Sequence, residues 1–140
     1  MLACLLGSTG VDAKGKMAVL GRAVQLTNIL RDIDDDHARG RVYIDGQTIA
    51  RYGVPVPGAR EELLRHLIAR ADALYAEGFA AVPLLNRGRR AVSLSAVLYR
   101  EILRQIERDG FGRHFGRVAL PSWRTRLLSA QHRLLMRHPA

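Results

Sequence analysis

Gln25-Leu26-Thr27-Asn28-Ile29-Leu30-Arg31-Asp32-Ile33-Asp34-Asp35-Asp36 is the stretch on which the reading of this chain turns. It closes a proline-free run from Lys16 to Asp36 with helical periodicity, after a loop-like Gly7-Ser8-Thr9-Gly10 and a candidate cap at Asp12. At about 100° per residue, Gly21, Gln25, Asn28, Asp32 and Asp36 share one narrow stripe, and Val19, Leu26, Ile29, Leu30 and Ile33 share a separate apolar one. A helix buried on one face and polar on another is expected.

Carboxylates at i and i+4, Asp32 and Asp36, repel on a bare helix by a few tenths of a kcal/mol, and a cation removes that cost. Oxygen donors without Cys or His suit a hard ion such as magnesium, which completes its shell with water and substrate phosphate. Arg31, beside the stripe, can pair with a carboxylate or a phosphate oxygen. Gly21 on the same face leaves room for a bulky apolar tail. On composition alone the run Asp32, Asp34, Asp35, Asp36 reads first as a solvated acidic helix end. The metal reading accounts for more, because Asn28 stands mid-helix against its propensity and acid at a helix C-terminus opposes the macrodipole.

Outward from this stretch the chain stays helical. His37 to Gly58, with Gly40, Gly46, Gly53, Pro55, Pro57 and Gly58, reads as a long loop or broken helix able to move over a site. A second helix is expected from about Ala59 to Phe79, on the stripe Leu63, Leu67, Ala71, Leu74 and Gly78, with Pro83 ending or kinking it. A third, about Arg90 to Arg108, places Val92, Ala96, Tyr99, Ile102, Leu103 and Ile106 on one face before Asp109-Gly110 stops it. Pro121 and Ser122 start a fourth, with Ser122 as cap and Trp123, Leu127, Leu134 and Leu135 as apolar anchors. There is no useful β-alternation, repeat or linker, so residues 1–140 read as one all-α unit.

A formal charge of +9, concentrated between Arg87 and Arg137, calls for an anionic partner: nucleic acid, an acidic membrane surface or a phosphorylated substrate. Aromatic residues are too few and too scattered among the arginines for a base-stacking platform, so nucleic acid is not expected. The single cysteine, Cys4, excludes an internal disulfide and a cysteine metal site and fits a reducing compartment. No apolar run is long enough to span a bilayer, and Met1–Leu6 lacks the makings of a signal peptide, so a cytoplasmic protein is expected, one that can sit peripherally at the inner face of the membrane.

Gln25-Leu-Thr-Asn28-Ile-Leu-Arg31-Asp32, then Asp35-Asp36, then Arg39-Gly40-Arg41-Val42-Tyr43, resembles the second aspartate-rich signature of squalene and phytoene synthases. Downstream, Leu74-Tyr75-Ala-Glu-Gly78, Arg90-Ala91-Val92 and Leu98-Tyr99-Arg-Glu-Ile-Leu103 resemble the phytoene and dehydrosqualene branch. The resemblance implies an isoprenoid-synthase helical bundle and a prenyltransferase joining two prenyl diphosphates head to head. Asn28, Asp32 and Asp36 would hold Mg2+; Arg31, Tyr43 and Tyr99 would serve catalysis; Gln25, Arg41 and Arg117 would bind the diphosphate substrate. It favours geranylgeranyl diphosphate going to phytoene, with a squalene or presqualene diphosphate synthase using farnesyl diphosphate as the alternative. A non-catalytic basic helical module is the reading from another class.

Departures from the family pattern are specific. Asp35 stands where the family usually has Glu, and Asp45 where it commonly has Pro. Members of the family are about twice as long and carry an earlier aspartate-rich motif; here the only acidic residue before Lys16 is Asp12. The chain is expected to be the carboxy-terminal half of such an enzyme, lacking the amino-terminal helices. A second chain would supply the absent motif, and activity of the half alone stays open.

Overall fold

The computed structural model describes residues 11–135; the expected Gly7–Gly10 loop lies outside them. In chain order the helices are α1 (Val11–Arg31), α2 (Ile33–Ala38), α3 (Gly46–Tyr52), α4 (Glu61–Phe79), a 3-10 turn (Val82–Leu84), α5 (Arg89–Arg108) and α6 (Ser122–Leu135), with no strand among the described residues. The first expected helix is a single path with one bend. Asp32 leaves helical geometry (φ −101°, ψ 11°), yet its N–H still donates to Asn28 O at 3.0 Å and its carbonyl accepts from Asp36 N–H at 2.9 Å.

The stretch between His37 and Gly58, read as a long loop or broken helix, contains α3. Asp45 starts it: one carboxylate oxygen accepts the Thr48 N–H at 2.8 Å and the other accepts the Thr48 hydroxyl at 2.7 Å. The signal was an acidic cap three residues before a threonine, a pairing that satisfies an otherwise orphaned helix-start donor.

Helix α1 packs chiefly on α4 and secondarily on α5, and the core lies between them. Its buried face is Val19, Leu20, Ala23, Thr27 and Leu30, continued by Ile33 and Asp34 in α2, so Val19, Leu30 and Ile33 of the apolar stripe read in the sequence are buried as expected. Leu26 and Ile29 are only half-buried, because small Ala23 and hydroxylic Thr27 make the closer fit against α4. Thr27 bridges the core by hydrogen-bond contact with the Tyr75 hydroxyl at 3.0 Å, and burial pushes the Tyr75 phenol up to about 12. From α4 come Leu63, Leu64, Leu67, Ile68 and Ala71, and from α5 come Ala96, Leu103 and Ile106. Each large aliphatic side chain so buried contributes roughly 1.5–3 kcal/mol.

Gly78 sets the spacing of α1 and α4. A Cβ there would lie 2.7 Å from Leu20 Cα and 2.8 Å from Leu20 N, so only a residue without a side chain lets the two backbones meet.

Helix α6 departs from expectation. Its packed face carries His132, whose ring bonds Ser93 Oγ at 2.9 Å, and Arg124, whose Nε donates to Glu101 at 2.6 Å. Trp123, Leu127 and Leu134, expected as anchors, form a stripe on the opposite face and are 60 %, 47 % and 63 % exposed; Leu135 is exposed too. Two polar contacts to α5 outweigh apolar periodicity in orienting this helix. Ser122 is its first helical residue rather than its cap. None of the described helices is long and apolar enough to cross a membrane.

Gly78→Ala is expected to lower stability by about 1–3 kcal/mol in denaturant unfolding, because overpacking against Leu20 exceeds the ~1 kcal/mol that Ala gains over Gly in a helix. Glu101 yields a pH prediction. Partial burial works against its charge, but hydrogen bonds from Arg108 and Arg124 outweigh that and hold its carboxyl below the ordinary value. A lowered folded pKa contributes stability that is present above the unfolded pKa and lost as pH falls through the folded one. Trp123 fluorescence, reporting on α6, should therefore hold steady down to about pH 4.3 and change only below it.

Candidate active site

The bend at Asp32 gathers charge. Arg31 grips Asp32 with two bonds, Nε to Oδ1 at 3.0 Å and Nη2 to Oδ2 at 2.6 Å. Arg117, arriving from the loop after α5, sets its Nε 2.8 Å from the same Oδ1 while its side chain stays 55 % exposed. The Arg31 hydrogen bonds hold the Asp32 carboxyl below its usual range against partial burial, with Arg117 adding to the effect. Reciprocally, Asp32 raises the Arg31 pKa against burial, and the nearby Tyr99 phenol helps. Arg31, Asp32, Tyr99 and Arg117, from three separate parts of the chain, thus meet at one point.

One turn before Asp32, the Asn28 Oδ1 is buried without a hydrogen-bond partner among the described residues. Leaving an acceptor in that condition costs roughly 1–3 kcal/mol, so the position favours a donor or a cation. One turn after Asp32, the half-buried Asp36 carboxylate takes no ion pair among the described residues. With Arg41, Tyr43, Ile29, Ile33 and Pro55 it lines a shallow, open cleft. Tyr43 and Arg41 are exposed at its mouth, and Gln25 faces solvent on the turn above Asn28. A Cβ at Gly21 would touch nothing within 4 Å, so the face above the stripe is open.

The donor set fits a hard divalent cation: an orphaned amide oxygen, a bare carboxylate, and between them a carboxylate with spare lone pairs. Asn28, Asp32 and Asp36 follow one another at four-residue steps, about 6 Å each along a helix. Among the described residues no group of three or more His, Cys, Asp or Glu is gathered as a metal cage. The stripe is therefore one wall, whose ions need ligands from water, phosphate or facing groups.

Behind this wall lies an ion pair that the sequence reading left among solvated acids. Asp34 and Arg60 are each 1 % exposed. Arg60 donates through Nη1 to Asp34 Oδ1 and through Nη2 to Asp34 Oδ2 at 2.9 Å. Asp34 follows Leu30 by four residues and Thr27 by seven, so it carries the buried face of α1 across the bend into α2, and that register was the available signal. Nothing in the sequence marks Arg60 as its partner, since it lies 26 residues away at the start of α4.

The squalene/phytoene synthase family profile matches residues 1–124. The chain is 38 % identical over 148 aligned positions to the phytoene synthase of Thermus thermophilus, covering 99 % of this chain and 50 % of that protein. It is 36 % identical over 122 positions to the phytoene synthase of Arthrospira platensis, covering 79 % of this chain and 39 % of that one. A crystal structure of a dehydrosqualene synthase in complex with ligand superposes with a TM-score of 0.72 at 28 % identity, over 85 % of this chain and 45 % of that chain. This chain belongs to the squalene/phytoene synthase family. It spans about half the length or less of these relatives.

Arg60→Ala would strand a buried carboxylate. Unfolding in denaturant should show a loss of about 3–5 kcal/mol, against under 1 kcal/mol for Arg65→Ala in the exposed pair with Glu61.

Proposed function

We propose that this chain forms one wall of a magnesium-dependent prenyltransferase site that condenses two prenyl diphosphates head to head, with geranylgeranyl diphosphate as substrate and phytoene as product. The observation that carries the reading is the stripe Asn28, Asp32 and Asp36, with an unsatisfied Asn28 oxygen and arginines 31 and 117 at its centre. Three roughly aligned oxygen donors beside two guanidinium groups suit a cation and a diphosphate together. The names of the relatives, phytoene synthases in the first instance, support the substrate class.

Asn28, Asp32 and Asp36 would hold Mg2+, which supplies charge neutralisation to a diphosphate leaving group. Arg31 and Arg117 stand fixed before substrate arrives, so their positive charge faces the departing diphosphate without reorganisation. Arg41 offers a further cation at the cleft mouth, and Gln25 an amide donor one turn above the stripe. The Tyr43 ring at the cleft and the Tyr99 ring beside Arg31 offer faces to a carbocation. The apolar tail would lie along the open surface above Gly21. The facing carboxylates would come from a segment beyond this stretch or from a second chain.

Farnesyl diphosphate as substrate, with a presqualene-type product, is the second reading; the similarity to a dehydrosqualene synthase favours it. Peripheral attachment to an anionic membrane belongs to the same proposal, because α6 turns Trp123, Leu127 and Leu134 outward beside Arg126 and Arg133.

The test is product formation from labelled geranylgeranyl or farnesyl diphosphate with magnesium, using this chain joined to the amino-terminal half of a relative. Asp32→Ala and Asp36→Ala are each expected to reduce product below detection. Near-normal turnover in either variant would overturn the site assignment, and product that forms equally well in chelator would overturn the metal.

A further inference from the structure

Arg60 does more than neutralise Asp34. Its Nε donates to Gly112 O at 3.0 Å, its Nη1 reaches Pro55 O at 3.5 Å, and its Nη2 reaches His114 O at 3.3 Å, all in addition to the two bonds to Asp34. Asp34 Oδ2 in turn accepts the Gly116 N–H at 2.8 Å. Residues 112, 114 and 116 are thus fastened, every second residue, to one buried ion pair. The very next residue is Arg117, and beyond it the Val118 N–H donates to Arg31 O at 3.3 Å. Arg117 sits between these two anchors when its Nε meets Asp32.

The two ends of the loop are tied to the core, Phe111 by its ring under the Arg65 guanidinium and its N–H on Ile106 O at 2.9 Å, and Val118 by its side chain. The backbone between them takes its shape from the ion pair. Gly110, Gly112 and Gly116 all have positive φ, and Phe111 is in the left-handed region at φ 56°, which a side chain rarely adopts. A Cβ on Gly112 would stand 2.5 Å from Arg60 Nε, so the loop backbone is laid directly against the guanidinium.

We propose that Arg60, seated on Asp34, is a positioning residue for substrate diphosphate: it clamps residues 112–116 so that Arg117 is presented at Asp32. The proposal rests on the reading of the Asn28–Asp32–Asp36 stripe as the diphosphate site. A forked, planar guanidinium is required, since a lysine ammonium cannot reach Asp34, Gly112 O and His114 O in fixed directions at once.

The experiment uses the full chain, with inorganic pyrophosphate and magnesium as the probe in calorimetry, and hydrogen exchange as a second readout. Arg117→Ala should weaken pyrophosphate binding about tenfold, the worth of one charge-assisted hydrogen bond. Arg60→Lys should weaken it as much, and Arg117→Ala added to Arg60→Lys should cost nothing further. In Arg60→Lys the Gly116 and Val118 amides should exchange faster while α4 and α5 amides keep their protection. Gly112→Ala, whose Cβ would stand against the Arg60 guanidinium and force loop and arginine apart while both charges of the ion pair are kept, should reproduce both effects and serves if Arg60→Lys does not fold. Independent, additive losses would overturn the proposal, as would unchanged exchange at Gly116 and Val118. If the unmodified chain binds no pyrophosphate, the diphosphate reading falls, and the exchange arm alone decides whether the clamp exists.

Discussion

Removing a carboxylate from water costs several kcal/mol unless a partner meets it with good geometry. Asp34 makes that demand at the centre of this fold, and Arg60 answers it. Because the pair is walled off from solvent, every remaining donor and acceptor around it must also be matched, and the matching groups come from Pro55, Gly112, His114 and Gly116. One buried charge therefore dictates where two loops run. The helices give the molecule its bulk, but this pair decides what lies next to the bend in α1.

The bend separates two tasks carried by residues two positions apart. Asp34 turns inward to Arg60, while Asp32 turns to the partly open side, to Arg31 and Arg117. Since neighbouring helical residues two apart point in nearly opposite directions, a short acidic run can serve the core and the site together. The bend also overturns the expectation that these acids oppose a helix dipole: Asp32 becomes the cap of α2 and Asp34, Asp35 and Asp36 its first turn, where carboxylates complement the positive end, and arginines answer two of the four.

Much of the fold was legible in sequence, since α1, α4 and α5 have long periodic stripes and clear stops at Pro83 and Asp109-Gly110. What escaped was decided by contacts between distant residues. Val19, Leu30 and Ile33 of the expected stripe are buried, but Leu26 and Ile29 are only half-buried because Ala23 and Thr27, weak markers of hydrophobicity, fit closest to α4. The orientation of α6 was misjudged because Glu101 and Ser93 on another helix select its Arg124 and His132. In the site, the stripe Gln25, Asn28, Asp32 and Asp36 follows from helical spacing alone, and the structure sets Arg117 and Tyr99 beside its centre. Asp34 was readable from its register with Leu30 and Thr27, whereas Arg60 was not. No local pattern encodes a partner lying across the fold.

The loop from Gly110 to Val118 leads to a consequence for how this molecule responds to heat. Its backbone carries the conformational freedom of three glycines, and between the core-packed Phe111 and Val118 it is held by polar bonds to one ion pair rather than by burial of large side chains. Opening it leaves the α1–α4–α5 core untouched, so its free energy of opening is smaller than that of global unfolding. On warming, such a segment loosens first. The helical signal and the capacity to hold an anion at Arg117 would then have separate midpoints, the second below the first, and the useful temperature range of the site would be narrower than that of the fold that carries it.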